Sequence, residues 1–244
     1  MMKEICPRDA SHWPKSGDRA SGFLRTLLAM TGHDLRHPLQ IIVSVNELLS
    51  RRLSGAAESE YLAKSREASV QLIKQLDRLI EALRVHERAE EISLQPVFFD
   101  LLFKDLNREH ASEAQIRGLA FRVVQSHAVV MSDKFLLEGI LRNLICNAFK
   151  YTPRGGKILV GCRRSTAGLR IEVHDTGIGI SPQNRSNIFK AFTRVDHSAS
   201  EGLGLGLFIV RHAADSLGHD VDVRSIEGKG SCFAVVMSSA AIPS

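Results

Sequence analysis

Leu24, Leu28, Thr31, Leu35, Pro38, Ile42, Val45 and Leu49 recur at alternating steps of four and three, the spacing of an apolar seam in a coiled coil or helix bundle. A turn is expected over Ser54-Gly55-Ala56-Ala57. Beyond it Leu62, Leu72, Leu76, Leu79 and Leu83 carry a similar pattern to about Glu91. Two helices joined by a short connection form an antiparallel hairpin. A hairpin alone buries too little core to be stable, so the pattern predicts a homodimer in which two copies make a four-helix bundle. In that frame His33 and His37 fall off the seam, one turn apart on the outward side, because residues four apart share a helix face.

From Leu94 the period changes to short alternating runs and longer helical ones. Extended segments are predicted at Gln95–Phe98, Leu119–Val124, Lys157–Arg163, Leu169–His174, Asp220–Ser225 and Cys232–Met237, and helices at Leu101–Gln115, Asp133–Ala148 and Gly206–Leu217. Long helices against a sheet of antiparallel leaning make an α+β fold. The organisation that follows is a polar tail or linker over 1–20, holding Pro7, Pro14 and Gly17, a helical dimerisation unit over 21–92, and an α+β unit over 93–240.

Composition alters this picture little. With 44% hydrophobic and 24% charged residues a sizeable core can be buried. The formal charge of +5 is spread along the chain without a basic run, which argues against a nucleic-acid partner. Cys6, Cys146, Cys162 and Cys232 lack the close pairing of zinc or redox motifs and read as free thiols of a cytoplasmic protein. No apolar stretch approaches the roughly 20 residues of a membrane helix, so no membrane insertion is expected.

The chemistry is concentrated in three clusters of the second half. Asn143 and Asn147 stand four apart on a predicted helix, so both amide oxygens can face one Mg²⁺, a hard ion that takes oxygen ligands. Lys150 follows one turn on as a charge for phosphate. Asp175 ends a predicted strand, where its carboxylate can accept from the exocyclic amine of adenine, and Gly177 and Gly179 let the chain turn behind it. Gly202, Gly204 and Gly206 precede a helix whose N-terminus favours anions. Each cluster alone is weak, since helical asparagines and glycine-rich turns are common. The three in this order point to ATP with Mg²⁺.

These residues resemble the ATP-binding catalytic domain of sensor histidine kinases, an α/β sandwich of the Bergerat type shared with Hsp90, DNA gyrase and MutL, over about Leu94 to Met237. The resemblance implies that Asn147 is the principal Mg²⁺ ligand with Asn143 assisting, Lys150 a phosphate contact, Tyr151 a wall of the adenine pocket and Asp175 the adenine reader. It also implies a phenylalanine box at Phe189 and Phe192, a lid over ATP from Thr193 to Glu201, and a closing hairpin at Gly228-Lys-Gly230-Ser-Cys-Phe233.

A second resemblance, over about Phe23 to Val85, is to the phosphoacceptor unit of the same family: His33-Asp34-Leu35-Arg36-His37-Pro38-Leu39 is similar to its acceptor box. A neutral imidazole is a competent nucleophile near pH 7, and a carboxylate beside it can hold its tautomer and take its proton. His33 is then the nucleophile and Asp34 its base or orienter. Pro38 would kink the helix a turn past the acceptor. A zinc-protease reading of His33-Asp-Leu-Arg-His37 fails on the short Asp, the following proline and the lack of a third ligand. The family usually has Thr or Asn where this chain has His37, which implies weak or altered phosphatase activity.

The function these readings predict is an ATP-dependent protein-histidine kinase core of a two-component system. It would phosphorylate its own His33 and pass the group to an aspartate of a response regulator, under an upstream sensor domain or protein. The alternative is a non-catalytic nucleotide-binding dimer that scaffolds or inhibits another kinase.

Overall fold

The computed structural model of the 244-residue chain describes residues 39–49, 56–88, 91–165, 168–190, 193 and 204–237. His33, Asp34, His37, Pro38, Phe192 and Gly202 lie outside the described residues, as does most of the expected lid.

Residues 39–49 form helix α1, and α2 spans Ala56–Arg88. Helix has begun by Ala56, inside the expected turn, and closes three residues before Glu91. The two helices meet side by side: Asn46 Nδ2 donates to Ser65 Oγ at 2.8 Å and Arg66 pairs with Glu47 at 3.1 Å. Asn46 and Ser69 are buried, while Ile42, Val45 and Leu49 of the seam, with Ile41 and Leu48, stand about half exposed. Contacts within one hairpin therefore leave the described part of the seam about half open to solvent.

The C-terminal end of α2 runs into the rest of the molecule. Val85 is fully buried and belongs to the same core as the helices that follow. That core lies between three helices, α3 (Phe99–Arg117), α4 (Lys134–Tyr151) and α5 (Gly206–Ser216), and one face of a five-stranded sheet. The strands are β2 (Ala120–Val123), β4 (Lys157–Ser165), β5 (Gly168–Asp175), β6 (Asp220–Ile226) and β7 (Gly230–Met237), in the order β2-β4-β5-β7-β6. A separate antiparallel pair joins β1 (Gln95–Phe98) to β3 (Val129–Ser132).

Period-two alternation explains the sheet. In β5, Leu169, Ile171 and Val173 face the helices and are buried, while Arg170, Glu172 and His174 face outward. The α4 helix does the same with a 3.6-residue period. Leu137, Ile140, Leu141, Leu144, Ile145, Ala148 and Phe149 are buried, leaving Asn143, Asn147 and Lys150 on a half-buried flank. Asp133 starts that helix, its Oδ1 accepting from the backbone N–H of Phe135 and Leu136.

The α+β architecture agrees with the sequence reading. Two features go beyond it: β3 was expected to be neither strand nor helix, and β2 pairs with β4 in parallel, whereas β4-β5, β5-β7 and β6-β7 are antiparallel.

Candidate functional site

The flank of α4 that carries Asn143, Asn147 and Lys150 opens on a cavity whose opposite wall is the end of β5. Asn143, Asn147, Lys150, Tyr151, Asp175, Gly179, Gly204 and Gly206 all line it. Gly177 does not, but it acts on the site through its backbone. Asp175 Oδ1 accepts from the N–H of Gly177 at 2.8 Å and from the N–H of Ser231 at 3.2 Å. Both bonds fall on one carboxylate oxygen, which leaves Oδ2 as the acceptor for a ligand. Burial pushes the Asp175 carboxyl up from its usual range, against those two donors and the neighbouring His174, which pull it down.

The turn behind Asp175 needs its glycine. Gly179 sits at φ +70°, and a Cβ there would lie 2.1 Å from the carbonyl oxygen of Ile226. Ile178 locks the same turn in place, its N–H donating to the Tyr151 carbonyl and its own carbonyl accepting from Gly228. Ile178, Ile180, Ile188, Leu205, Ile209 and Phe233 give the cavity an apolar side suited to a flat aromatic base.

The polar side is built around Asn143. Its Nδ2 donates to the Gly139 carbonyl at 2.9 Å and to Glu81 Oε1 of α2 at 3.4 Å, so its Oδ1 is the atom turned toward the start of α5. There Gly206 comes so close that a Cβ would be 3.1 Å from Asn143 Oδ1 and 3.6 Å from the Asn147 amide atoms. Helix α5 begins at Gly206, and its N-cap residue Leu205 has no side chain able to cap it. Among the described residues no side chain caps its first N–H groups, an arrangement that suits an anion at a helix N-terminus. Lys150 lies over the Tyr151 ring, 5.0 Å from its centroid, on the same side.

Sequence reasoning overlooked Ser231, which acts through its backbone N–H, and Glu81, which acts by orienting an asparagine. The Gly230-Ser231 pair in a closing hairpin was the available signal for the first; none existed for the second. Cys146 also lines the cavity, from an exposed position between the two asparagines.

Residues 132–240 match the family described as histidine kinase-, DNA gyrase B- and HSP90-like ATPase. This stretch belongs to that family. The resemblance to sensor histidine kinases also holds beyond it. The aerobic respiration control sensor protein ArcB of Escherichia coli (strain K12) is 31% identical over 92% of this chain and 30% of its own length. The sensor-like histidine kinase SenX3 of Mycobacterium tuberculosis (strain ATCC 25618 / H37Rv) is 30% identical over 87% of this chain and 53% of its own length. Among solved structures, full-length ShkA in complex with AMPPNP is 29% identical and covers 90% of this chain and 47% of its own, with a TM-score of 0.69. The chain thus spans about a third to a half of the relatives it matches. Among the described residues no helix is long and apolar enough to cross a membrane.

Proposed function

We propose that this chain is the ATP-dependent protein-histidine kinase core of a two-component system, working as a homodimer. The observation that carries the reading is the uncapped start of α5 standing over two asparagine amides, across one cavity from the Asp175 carboxylate. Asp175 Oδ2 accepts from the adenine amine, the isoleucines and Phe233 hold the ring, and the α5 N-terminus and Lys150 take the phosphates. Asn147 and Asn143 offer oxygen ligands for Mg²⁺, which when bound neutralises charge on the phosphates. The crowding of Gly206 against these amides fits a compact ion there, since any side chain would occupy its place.

His33 attacks the γ-phosphorus with Asp34 holding its imidazole: the Nε2–P or Nδ1–P bond forms as the bond to the β-phosphate oxygen breaks, and ADP leaves. The phosphoryl group then passes to an aspartate of a separate response regulator. An upstream sensor sets the rate. The half-exposed seam of Ile42, Val45 and Leu49 supports pairing with a second copy.

The test is incubation of the purified chain with γ-labelled ATP and Mg²⁺ beside His33→Gln. Label stable to alkali and lost in acid, on wild type alone, is the expected result. Nucleotide binding without any such label in the presence of the upstream sensor would overturn it in favour of a scaffold.

A further inference from the structure

The outer face of the sheet, behind the nucleotide cavity, carries a cluster that the proposed kinase chemistry does not use. His174 of β5 and Cys232 of β7 are directly opposite each other in the antiparallel ladder, and Glu172 is two residues from His174 on the same face. The cluster stands apart from the ATP site because β5 and β7 send alternate residues to opposite faces.

Its geometry is specific. His174 Nε2 lies 3.1 Å from Glu172 Oε2 and 3.6 Å from Cys232 Sγ. One ligand atom from each of the three lies within 4.8 Å of the others. Zinc held tetrahedrally, with bonds of about 2.0–2.1 Å to nitrogen and oxygen and about 2.3 Å to sulfur, sets ligand edges of about 3.3 Å between N and O and about 3.6 Å between N and S. The two measured edges are close to those values before any ion is present.

The two oxygens of Glu172 are divided between tasks. Oε1 accepts from Arg163 at 2.9 Å and from Arg170 at 2.6 Å, and Oε2 faces His174. Arg170 is itself anchored to Asp222 of β6, reaching across β7. The arginines therefore fix the carboxylate in a one-oxygen pose, the role that hydrogen-bonding partners behind a metal ligand commonly fill. The side chain of Glu172 is 13% exposed and that of His174 45%, so an ion has a way in and one position is open to water.

We propose that Glu172, His174 and Cys232 bind one Zn²⁺ through Oε2, Nε2 and Sγ, with water as the fourth ligand. A thiol, an imidazole and a carboxylate together select zinc over Mg²⁺ or Ca²⁺, which favour all-oxygen ligands. On binding, the Zn–S bond forms as the thiol proton leaves to water. The ion ties β5 to β7 at the level where Asp175 follows His174 and Ser231 precedes Cys232. The hydrogen bond from Ser231 N–H to Asp175 Oδ1 is thus next to the zinc on both strands. Zinc occupancy should stiffen the grip on Asp175 and change nucleotide affinity.

The test is titration of the chelator-stripped full chain with Zn²⁺ against a chromogenic competitor, with Co²⁺ as a spectroscopic substitute. One Zn²⁺ per chain is expected, along with a thiolate-to-cobalt charge-transfer band. Affinity should fall at least about tenfold in His174→Gln and in Cys232→Ser, and the band should vanish in Cys232→Ser. Cys162→Ser should match wild type. A wild-type cobalt complex without the thiolate band, or no zinc uptake against the competitor, overturns the site whether or not Cys232→Ser folds. Undiminished affinity in a folded His174→Gln does the same. None of these outcomes depends on His33 phosphorylation.

Discussion

Replacing Gly206 with alanine should strengthen the fold and weaken the nucleotide site. The backbone of Gly206 is outside the left-handed region, so alanine meets no dihedral strain. Gly206 is the first residue of α5, where alanine improves helix propensity by up to about 1 kcal/mol. The added methyl, however, would stand 3.1 Å from Asn143 Oδ1. That amide cannot swing aside freely, because its Nδ2 is held by the Gly139 carbonyl and Glu81. A shift of a few tenths of an ångström relieves the contact. Mg²⁺, however, accepts only near-ideal octahedral geometry at about 2.0–2.1 Å. A cost of about 1–2 kcal/mol follows, or roughly 5- to 30-fold weaker binding of Mg²⁺-ATP. Calorimetric titration of ATP with Mg²⁺ and then with EDTA, beside thermal melts, reads both effects. The expected pattern is a melting temperature at or above wild type, with an affinity loss confined to the Mg²⁺ titration. Wild-type affinity for Mg²⁺-ATP, or an equal loss in EDTA, would refute the assignment of Asn143 Oδ1 to the metal.

Three further outcomes are expected. Asp175→Asn keeps an oxygen for the Gly177 and Ser231 N–H groups but turns an amide donor toward the adenine amine; displacement of a fluorescent nucleotide should report about tenfold or more weaker binding with little change in melting temperature. Arg88→Ala removes the 2.8 Å partner of the buried Asp133 carboxylate, and denaturant titration should show a loss of about 1.5–2.5 kcal/mol. This is less than for a fully buried pair because Arg88 is 36% exposed and three backbone N–H groups still serve Asp133. Glu172 is raised by burial but held down to about 2 by the stronger combined hydrogen bonds of Arg163, Arg170 and His174. Its folded value lies below the usual 4.5, so its stabilisation is complete above pH 4.5 and is lost as the pH falls toward 2. That amounts to at most roughly 3 kcal/mol. Metal-free Glu172→Gln should therefore melt lower than metal-free wild type at neutral pH, with the two curves converging in acid.

Much of the fold could be read from the sequence because each element carries its own local signal. The α4 helix has a capping aspartate and an unbroken apolar flank, and β5 alternates residue by residue. Val129-Val130-Met131-Ser132 could not be read in this way. It is a run of four before a helix, with no alternation, and it becomes a strand only because β1 lies alongside. The parallel pairing of β2 with β4 likewise depends on partners distant in the chain. The gathering of Asn143, Asn147, Asp175 and the glycines on one cavity was legible because the proposed nucleotide chemistry requires particular side chains: two amides, a carboxylate and glycines. The Glu172-His174-Cys232 cluster was not, since His174 and Cys232 are 58 residues apart and meet only through sheet register.

The same limit hid how α2 is joined to the ATPase domain. Glu81, Val85 and Arg88 are spaced four and three, so they form one stripe on that helix. Each meets a different part of α4 or its cap: Glu81 bonds Asn143, Val85 packs against Gly139, and Arg88 pairs with Asp133. Arg88 and Val85 fasten the start of α4, while Glu81 reaches the asparagine two turns further on. A rotation of α2 about its axis would carry all three together. The contact at Asn143, the longest of these hydrogen bonds at 3.4 Å, would be the first to break. Because Asn143 Oδ1 is aimed by what its Nδ2 holds, such a rotation would alter the aim of a proposed metal ligand without unfolding anything. The helix that carries half of the proposed dimer seam is thus mechanically continuous with the proposed nucleotide site. Helix α2 also packs on α5, so the Glu81–Asn143 contact is one of two routes by which a movement of the helix would reach this cavity.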